Sequence, residues 1–280
     1  MKLVRFGPAG QEKPGMLDKH GRLRDLSGLV ADFAGNTVSL AALAELAARD
    51  LESAPVVAGL ERLGPPLAWV PNFYCIGLNY AAHAAETGAA KPAEPLVFSK
   101  ATSSLAGPED DIIIPKAASR VDWEVELGVV IGKPALNISE SEALDHVAGY
   151  VAINDVSERS FQKDRGGQWI KGKSAPSFGK IGPLLVTRDE VPDPQALDLS
   201  LAVNGSARQE SNTSDMIFSV AEIVAYMSQF MRLMPGDVIA TGTPSGVGLG
   251  MTPPQFLAPG DVVALEVAGL GRQFSQVVAA

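Results

Sequence analysis

The sequence predicts an α+β chain that is mostly β: a mixed β roll or barrel-like core preceded by a small N-terminal domain. Three observations carry this reading. Residues 69–280 contain nine short apolar runs, at 73–77, 96–99, 111–114, 123–131, 149–154, 183–187, 199–203, 237–241 and 261–267. Only two substantial helical patterns accompany them. Strands and helices do not alternate in the βαβ manner that a Rossmann-type parallel sheet requires.

In chain order, Lys2 to Phe6 and Gly15 to Asp18 read as short strands, and Lys19-His20-Gly21 as a turn. Ser39 to Leu51 has helical apolar spacing and is rich in Ala and Leu, which favour helix. Residues 52–71 lose that order and contain Gly64-Pro65-Pro66 and Val70-Pro71, a break that divides the chain into 1–68 and 69–280. Within the larger part, Ser139 followed by Glu142 forms a capping box that starts a helix running to about Val147. A second helix covers Ile217 to Met231, where Ile217, Val220, Ile223, Val224, Met227 and Met231 make one apolar stripe. Pro235-Gly236-Asp237-Val238 and Pro259-Gly260-Asp261-Val262 are near copies, each a tight turn feeding a strand.

Composition narrows the functional classes. A net charge of −9 with no Lys/Arg run argues against a nucleic-acid partner, which needs a basic face. No apolar stretch is long enough to span a bilayer, and the N-terminus lacks the apolar core of a signal peptide. The single cysteine, Cys75, permits no intrachain disulfide and lies in an apolar run, as a buried structural thiol would. A cytoplasmic location is expected.

The chemistry concentrates in Trp123-Glu124-Val125-Glu126-Leu127 and in Ile153-Asn154-Asp155. On a strand, Glu124 and Glu126 share one face while Val125 and Leu127 occupy the other. Two carboxylates held in parallel on so apolar a strand repel each other unless a cation sits between them. With Asp155 they make three hard oxygen donors with no Cys or His beside them, a set for Mg²⁺ or Mn²⁺ and not Zn²⁺. The alternative is a strand face that points at water.

One apparent motif is rejected. Gly167-Gln168-Trp169-Ile170-Lys171-Gly172-Lys173-Ser174 fits the phosphate-loop pattern letter for letter. Polar residues precede it instead of an apolar strand, and Pro176 disfavours the helix whose N-terminus would face the phosphates. The glycine-rich Gly242 to Gly248 segment reads as a loop, with or without something to close over.

Of the three histidines, His20 and His146 sit in structural or solvated settings. His83 falls in an Ala-rich segment expected to be a short helix, which puts Glu86 on the same face three residues on. A carboxylate beside an imidazole fixes its tautomer and raises its basicity, as a general base acting on water requires.

Taken together, Gly77-Leu78-Asn79-Tyr80 with His83 and Glu86, Asp122-Trp123-Glu124-Val125-Glu126, Asn154-Asp155-Val156-Ser157 with Arg159 and Gln162, Gly172-Lys173-Ser174, and Thr241 to Gly248 occur in the order seen in the fumarylacetoacetate hydrolase family. The chain resembles that family over about residues 72–270, in particular its bacterial acylpyruvate and 2,4-diketo-3-deoxy-sugar-acid hydrolase branch. The resemblance implies a β-roll catalytic domain with a small N-terminal domain, a divalent metal and a homodimer. It also implies that Glu124, Glu126 and Asp155 bind the metal and that His83 and Glu86 activate water on a lid. Lys173 would stabilise developing negative charge, and Arg159, Gln162, Thr243 and, by a weaker match, Lys100 would contact substrate.

The expected activity is metal-dependent hydrolysis of the C3–C4 bond of a 2,4-diketo acid, giving pyruvate and a carboxylic acid. The small-molecule keto acid is the expected partner, with no nucleic acid and no membrane. Oxaloacetate-type decarboxylation, dienoate isomerisation or tautomerisation, and ureidoglycolate lysis remain open on the same metal site. So does a non-catalytic binding role.

Overall fold

The computed structural model describes residues 1–59 and 61–280. Its strands are β1 Lys2–Phe6, β2 Lys13–Leu17, β3 Leu23–Asp25, β4 Phe73–Gly77, β5 Leu96–Lys100, β6 Leu105–Ala106, β7 Ile112–Ile114, β8 Val121–Asp122 and β9 Val125–Ile131. They continue as β10 Val147–Asp155, β11 Ser157–Glu158, β12 Gly179–Ile181, β13 Leu185–Thr187, β14 Asp198–Val203, β15 Ser206–Asn212, β16 Val238–Ala240, β17 Val262–Val267 and β18 Gly271–Ala279. The helices are short: α1 Leu40–Ala47, α2 Ala81–Glu86, α3 Glu140–Ala143, α4 Arg159–Lys163, α5 Ile170–Lys173 and α6 Val220–Ser228.

The largest sheet runs β3-β2-β1-β13-β10-β9-β16-β4-β5, with β12 and β6 branching from β10. A second sheet, β15-β14-β17-β18-β7, packs Leu199, Leu201, Val263 and Leu265 into the same core as Val125, Leu127 and Val129 of β9. On the other face, Val130, Val151 and Ile153 meet Phe33, Val38, Leu43 and Leu46 from the N-terminal segment. Strand β9 is therefore covered on both sides, and every one of its residues is buried. That explains why its sequence begins by alternating and ends as an unbroken apolar run.

The mostly-β reading matches the observed architecture, with informative differences in detail. Residues 1–68, expected as a small domain, do not form a separate sheet: Lys2 and Leu3 of β1 pair with Val186 and Leu185 of β13. The run at 123–131 is interrupted, because the N–H of Glu124 is taken by the Asn154 side chain and that of Val125 by Gln209. Strands β3, β6, β8, β11, β12, β15 and β18 are additional; β15, Ser-Ala-Arg-Gln-Glu-Ser-Asn, has almost no apolar signal and is held by its backbone pairing to β14.

The helix expected at 217–231 narrows to α6, capped by Ser219, which accepts the Glu222 N–H while Glu222 accepts the Ser219 N–H. The helix at 139–147 contracts to α3 plus one 3₁₀ turn, with Glu142 again reaching back to the N–H of Ser139. Both Pro-Gly-Asp turns form as expected. Gly236 and Gly260 have φ of +88° and +97°, a backbone that other residues rarely adopt, and Asp237 and Asp261 close the turns on Met234 N–H and Ala258 N–H.

Candidate active site

The antiparallel register of β9 and β10 builds the acidic centre. Ile153 lies opposite Glu126, so the pleat puts Asp155, two residues on, on the face that Glu124 and Glu126 share. Oxygens of the three carboxylates lie within 4.8 Å of one another. All three are buried, Glu124 at 4% exposure and Glu126 at 2%, which removes the solvated-face alternative.

Four buried acids and three buried cations share this region. Lys173 Nζ lies 2.5 Å from Glu124 Oε2 and 2.7 Å from Asp155 Oδ2. Lys100 Nζ pairs with the other oxygen of Asp155 and donates to the Val156 carbonyl at 3.2 Å. Arg159 bridges Asp122 Oδ2 at 2.8 Å and Glu124 Oε1 at 2.7 Å. Burial alone would raise the Glu124 pKa, but Lys173 and Arg159 outweigh it and hold the group below the usual carboxylate range. Burial lowers the Lys173 ammonium, and Asp155 and Glu124 reverse that and push it up.

Glu126 differs. It has no cation partner among the described residues and accepts only the Gly242 N–H, at 2.7 Å. Burial, then Asp155 and Glu124, push its pKa well up. An uncompensated buried carboxylate beside two others is the arrangement a divalent cation relieves, and three carboxylate oxygens are the hard donors Mg²⁺ or Mn²⁺ prefers. The donor set thus fits such an ion.

Above this centre, α2 carries His83 and Glu86 as expected, with Nδ1 of His83 2.9 Å from Glu86 Oε1. The 242–250 segment is a loop with one 3₁₀ turn at Gly248–Gly250, and it points its backbone donors at three carboxylates. Gly242 N–H serves Glu126, Gly246 N–H serves Glu86, and the N–H groups of Gly248 and Leu249 serve Asp122. The segment 167–174 has no strand before it: α4 precedes it and α5 delivers Lys173 into the centre, so the phosphate-loop resemblance is accidental.

A cleft lies over the carboxylate centre. His83, Glu124, Glu126, Arg159, Gln162, Lys173 and Thr243 all line it. Lys100, expected at the substrate, has its side chain fully buried against Asp155, a counter-charge for that buried carboxylate, and is not among the residues lining the cleft. Thr243 donates to the Val125 carbonyl and accepts from Gln209, so its hydroxyl is engaged by the strand.

Sequence reasoning gave no role to Asp122, Gln209, Asn79 or Trp169. Asp122 and Asn79 stood inside the recognised blocks; Asn79 ties Phe218 and Thr241 to the start of α2. Trp169 stood in the rejected motif and stacks edge-on against Phe98 at 5.1 Å on the cleft wall. Gln209, on the polar strand β15, had no signal of its own.

Fold and site together define a mostly-β chain with a cleft over three buried carboxylates that could hold a hard cation, overlooked by a histidine–carboxylate dyad. Residues 72–278 match the fumarylacetoacetate (FAA) hydrolase C-terminal domain. A Burkholderia multivorans protein that carries only a provisional hydrolase name is 57% identical over the whole of both chains. Among solved structures, 5-carboxymethyl-2-hydroxymuconate delta-isomerase from Mycobacterium smegmatis is 30% identical with a TM-score of 0.78, over all of both chains. Maleylpyruvate hydrolase from Sphingobium sp. SYK-6, in complex with manganese(II) and pyruvate, is 27% identical with a TM-score of 0.83, again over all of both chains. The chain belongs to the fumarylacetoacetate hydrolase family, which includes both hydrolases and isomerases.

Proposed function

We propose that this protein hydrolyses the C3–C4 bond of a 2,4-diketo acid of the acylpyruvate type, giving pyruvate and a carboxylic acid, with Mg²⁺ or Mn²⁺ held by Glu124, Glu126 and Asp155. The observation that carries the reading is the His83–Glu86 pair at 2.9 Å in a cleft floored by the carboxylate centre. The bound ion would supply Lewis acidity and fix the oxygens of the keto acid.

Glu86 holds Nδ1 of His83, which leaves Nε2 to take a proton from water as that water attacks the C4 carbonyl. The resulting tetrahedral oxyanion needs donors placed in advance. Lys173 spends two of its three N–H bonds on Glu124 and Asp155 and keeps the third for the cleft. Arg159 has no acceptor atom, so its Nη1 contact at 3.1 Å turns Oε1 of Gln162 toward it and leaves the Gln162 amide as a donor. Collapse breaks the C3–C4 bond, releases the acyl group as the acid and leaves the electron pair on the pyruvate fragment, which takes up the proton at C3. His83, protonated in the first step, can return it.

The isomerase neighbour supports a second reading, proton transfer on an unsaturated keto acid without water attack. The test is pyruvate release from a panel of 2,4-diketo acids and oxaloacetate, with Mg²⁺, Mn²⁺ or EDTA, scoring CO₂ separately. Metal-dependent pyruvate with the matching acid and no CO₂ is expected. Pyruvate with CO₂ from oxaloacetate alone, or an absorbance shift without cleavage, overturns hydrolysis in favour of decarboxylation or isomerisation. We also propose that the protein works as a homodimer, which sedimentation velocity tests.

A further inference from the structure

Val125, the residue between Glu124 and Glu126, opens β9. Strand β16 pairs with β9 only as far as Gly128, opposite Ala240, and past that point a side chain takes over. Gln209 Oε1 accepts the Val125 N–H at 2.9 Å. Gln209 Nε2 donates to the Pro244 carbonyl at 2.9 Å and to Thr243 Oγ1 at 2.8 Å. Thr243 in turn donates to the Val125 carbonyl at 2.9 Å, which closes the circuit. A backbone N–H at one end of the amide and a backbone carbonyl at the other fix which way it faces, and both amide protons are spent. Gln209 and Thr243 are buried, at 1% and 3% exposure, so water does not stand in for these bonds. Gln209 belongs to β15 of the second sheet, opposite Leu201. The circuit therefore joins the two sheets at the residue that separates the two carboxylates.

We propose that Gln209 is a positioning residue for the carboxylate centre: its amide sets the spacing of Glu124 and Glu126 and thereby the centre's preference among divalent ions. This rests on the reading of Glu124, Glu126 and Asp155 as ion ligands and is independent of which reaction follows. Two carboxylates on one strand face splay or close only if the residue between them turns. Gln209, directly and through Thr243, holds that residue by both of its backbone groups. Mg²⁺ demands near-ideal octahedral geometry at short distances, whereas Ca²⁺ accepts a larger and more variable oxygen shell. A rigid pair of donors favours Mg²⁺, and loosening the pair costs Mg²⁺ more than Ca²⁺.

The test is calorimetric titration of the metal-stripped protein with Mg²⁺ and with Ca²⁺, read as the ratio of the two affinities. Gln209→Met keeps the length of the side chain and loses every polar contact of the amide. It should lower the Mg²⁺-to-Ca²⁺ ratio by about tenfold, the scale of one buried hydrogen bond. Thr243→Ser retains the circuit and should keep the wild-type ratio; Thr243→Val breaks one half of it and should fall between. A merely structural role would weaken both ions alike, so a ratio in Gln209→Met equal to or above wild type overturns the proposal and leaves the ion site standing. Should Gln209→Met not fold, Thr243→Val decides, because it leaves Gln209 bonded to Val125 and Pro244: a lowered ratio upholds the proposal and an unchanged one overturns it. A wild type that binds neither ion overturns the ligand reading and the proposal together.

Discussion

Glu86 docks on the backbone N–H of Gly246, 160 positions further along the chain, at 2.9 Å. The contact ties the short helix α2 to the loop that also serves Glu126 and Asp122, so dyad and carboxylate centre share one scaffold. Only glycine fits at 246: its φ is +100°, and an added Cβ would lie 1.9 Å from the Arg208 carbonyl oxygen.

His83→Ala should lower turnover by about 10²- to 10⁴-fold, the usual yield of general acid–base catalysis, with Mn²⁺ affinity retained. Glu86→Gln should fall in the same direction by less, since an amide can still orient the ring. Steady-state kinetics beside a Mn²⁺ titration check both; a His83→Ala protein with near-normal hydrolysis would remove the base assignment.

Glu126→Gln should weaken Mn²⁺ binding and yet stabilise the metal-free protein. The pKa of Glu126 is raised by folding, so its favourable contribution is present below the unfolded value near 4.5 and is lost as pH rises through the folded value. In EDTA, the variant should therefore melt higher than wild type at pH 8, and the gap should close on acidification. Thermal melts across pH with and without Mn²⁺ measure this.

Lys173→Met should abolish turnover and also destabilise the metal-free fold, by about 3–5 kcal/mol, because it strips a buried counter-charge from both Glu124 and Asp155. Saturating Mn²⁺ should restore part of that stability without restoring activity. Urea unfolding with and without the ion separates the two effects.

Lys180 supplies a pH signature away from the cleft. Fully buried, it donates to the carbonyls of Gly107 and Asp110 and has no ion-pair partner among the described residues; burial, only partly offset by the charges of Asp110 and Asp111, pushes its pKa down to about 8 from 10.5. The unfolded chain then binds the proton more tightly, so the contribution of Lys180 to stability rises between pH 8 and 10.5 and is lost as pH falls through 8. Relative to Lys180→Met, wild type should gain on the order of 3 kcal/mol across that window. Denaturant midpoints at several pH values test it, and a flat difference would contradict it.

Much of the site was legible because its chemistry is local. Glu124 and Glu126 share a face by the two-residue period of a strand, and His83 and Glu86 meet by the three-residue step of a helix. These relations hold wherever the element sits, and five separated blocks in order were enough to identify the family. The apolar runs marked most strands of the core for the same reason, since burial on one or both faces is written residue by residue.

What the sequence by itself determined, then, was the element types, the acidic donor set and the dyad. Tertiary structure alone decided the pairings: Lys100 against Asp155, Arg159 between Asp122 and Glu124, Lys173 bridging two carboxylates, and β1 joined to β13 in one sheet. Such partners lie tens to more than a hundred residues apart. Their choice depends on which charges are buried together and must be neutralised, a condition that no local period encodes.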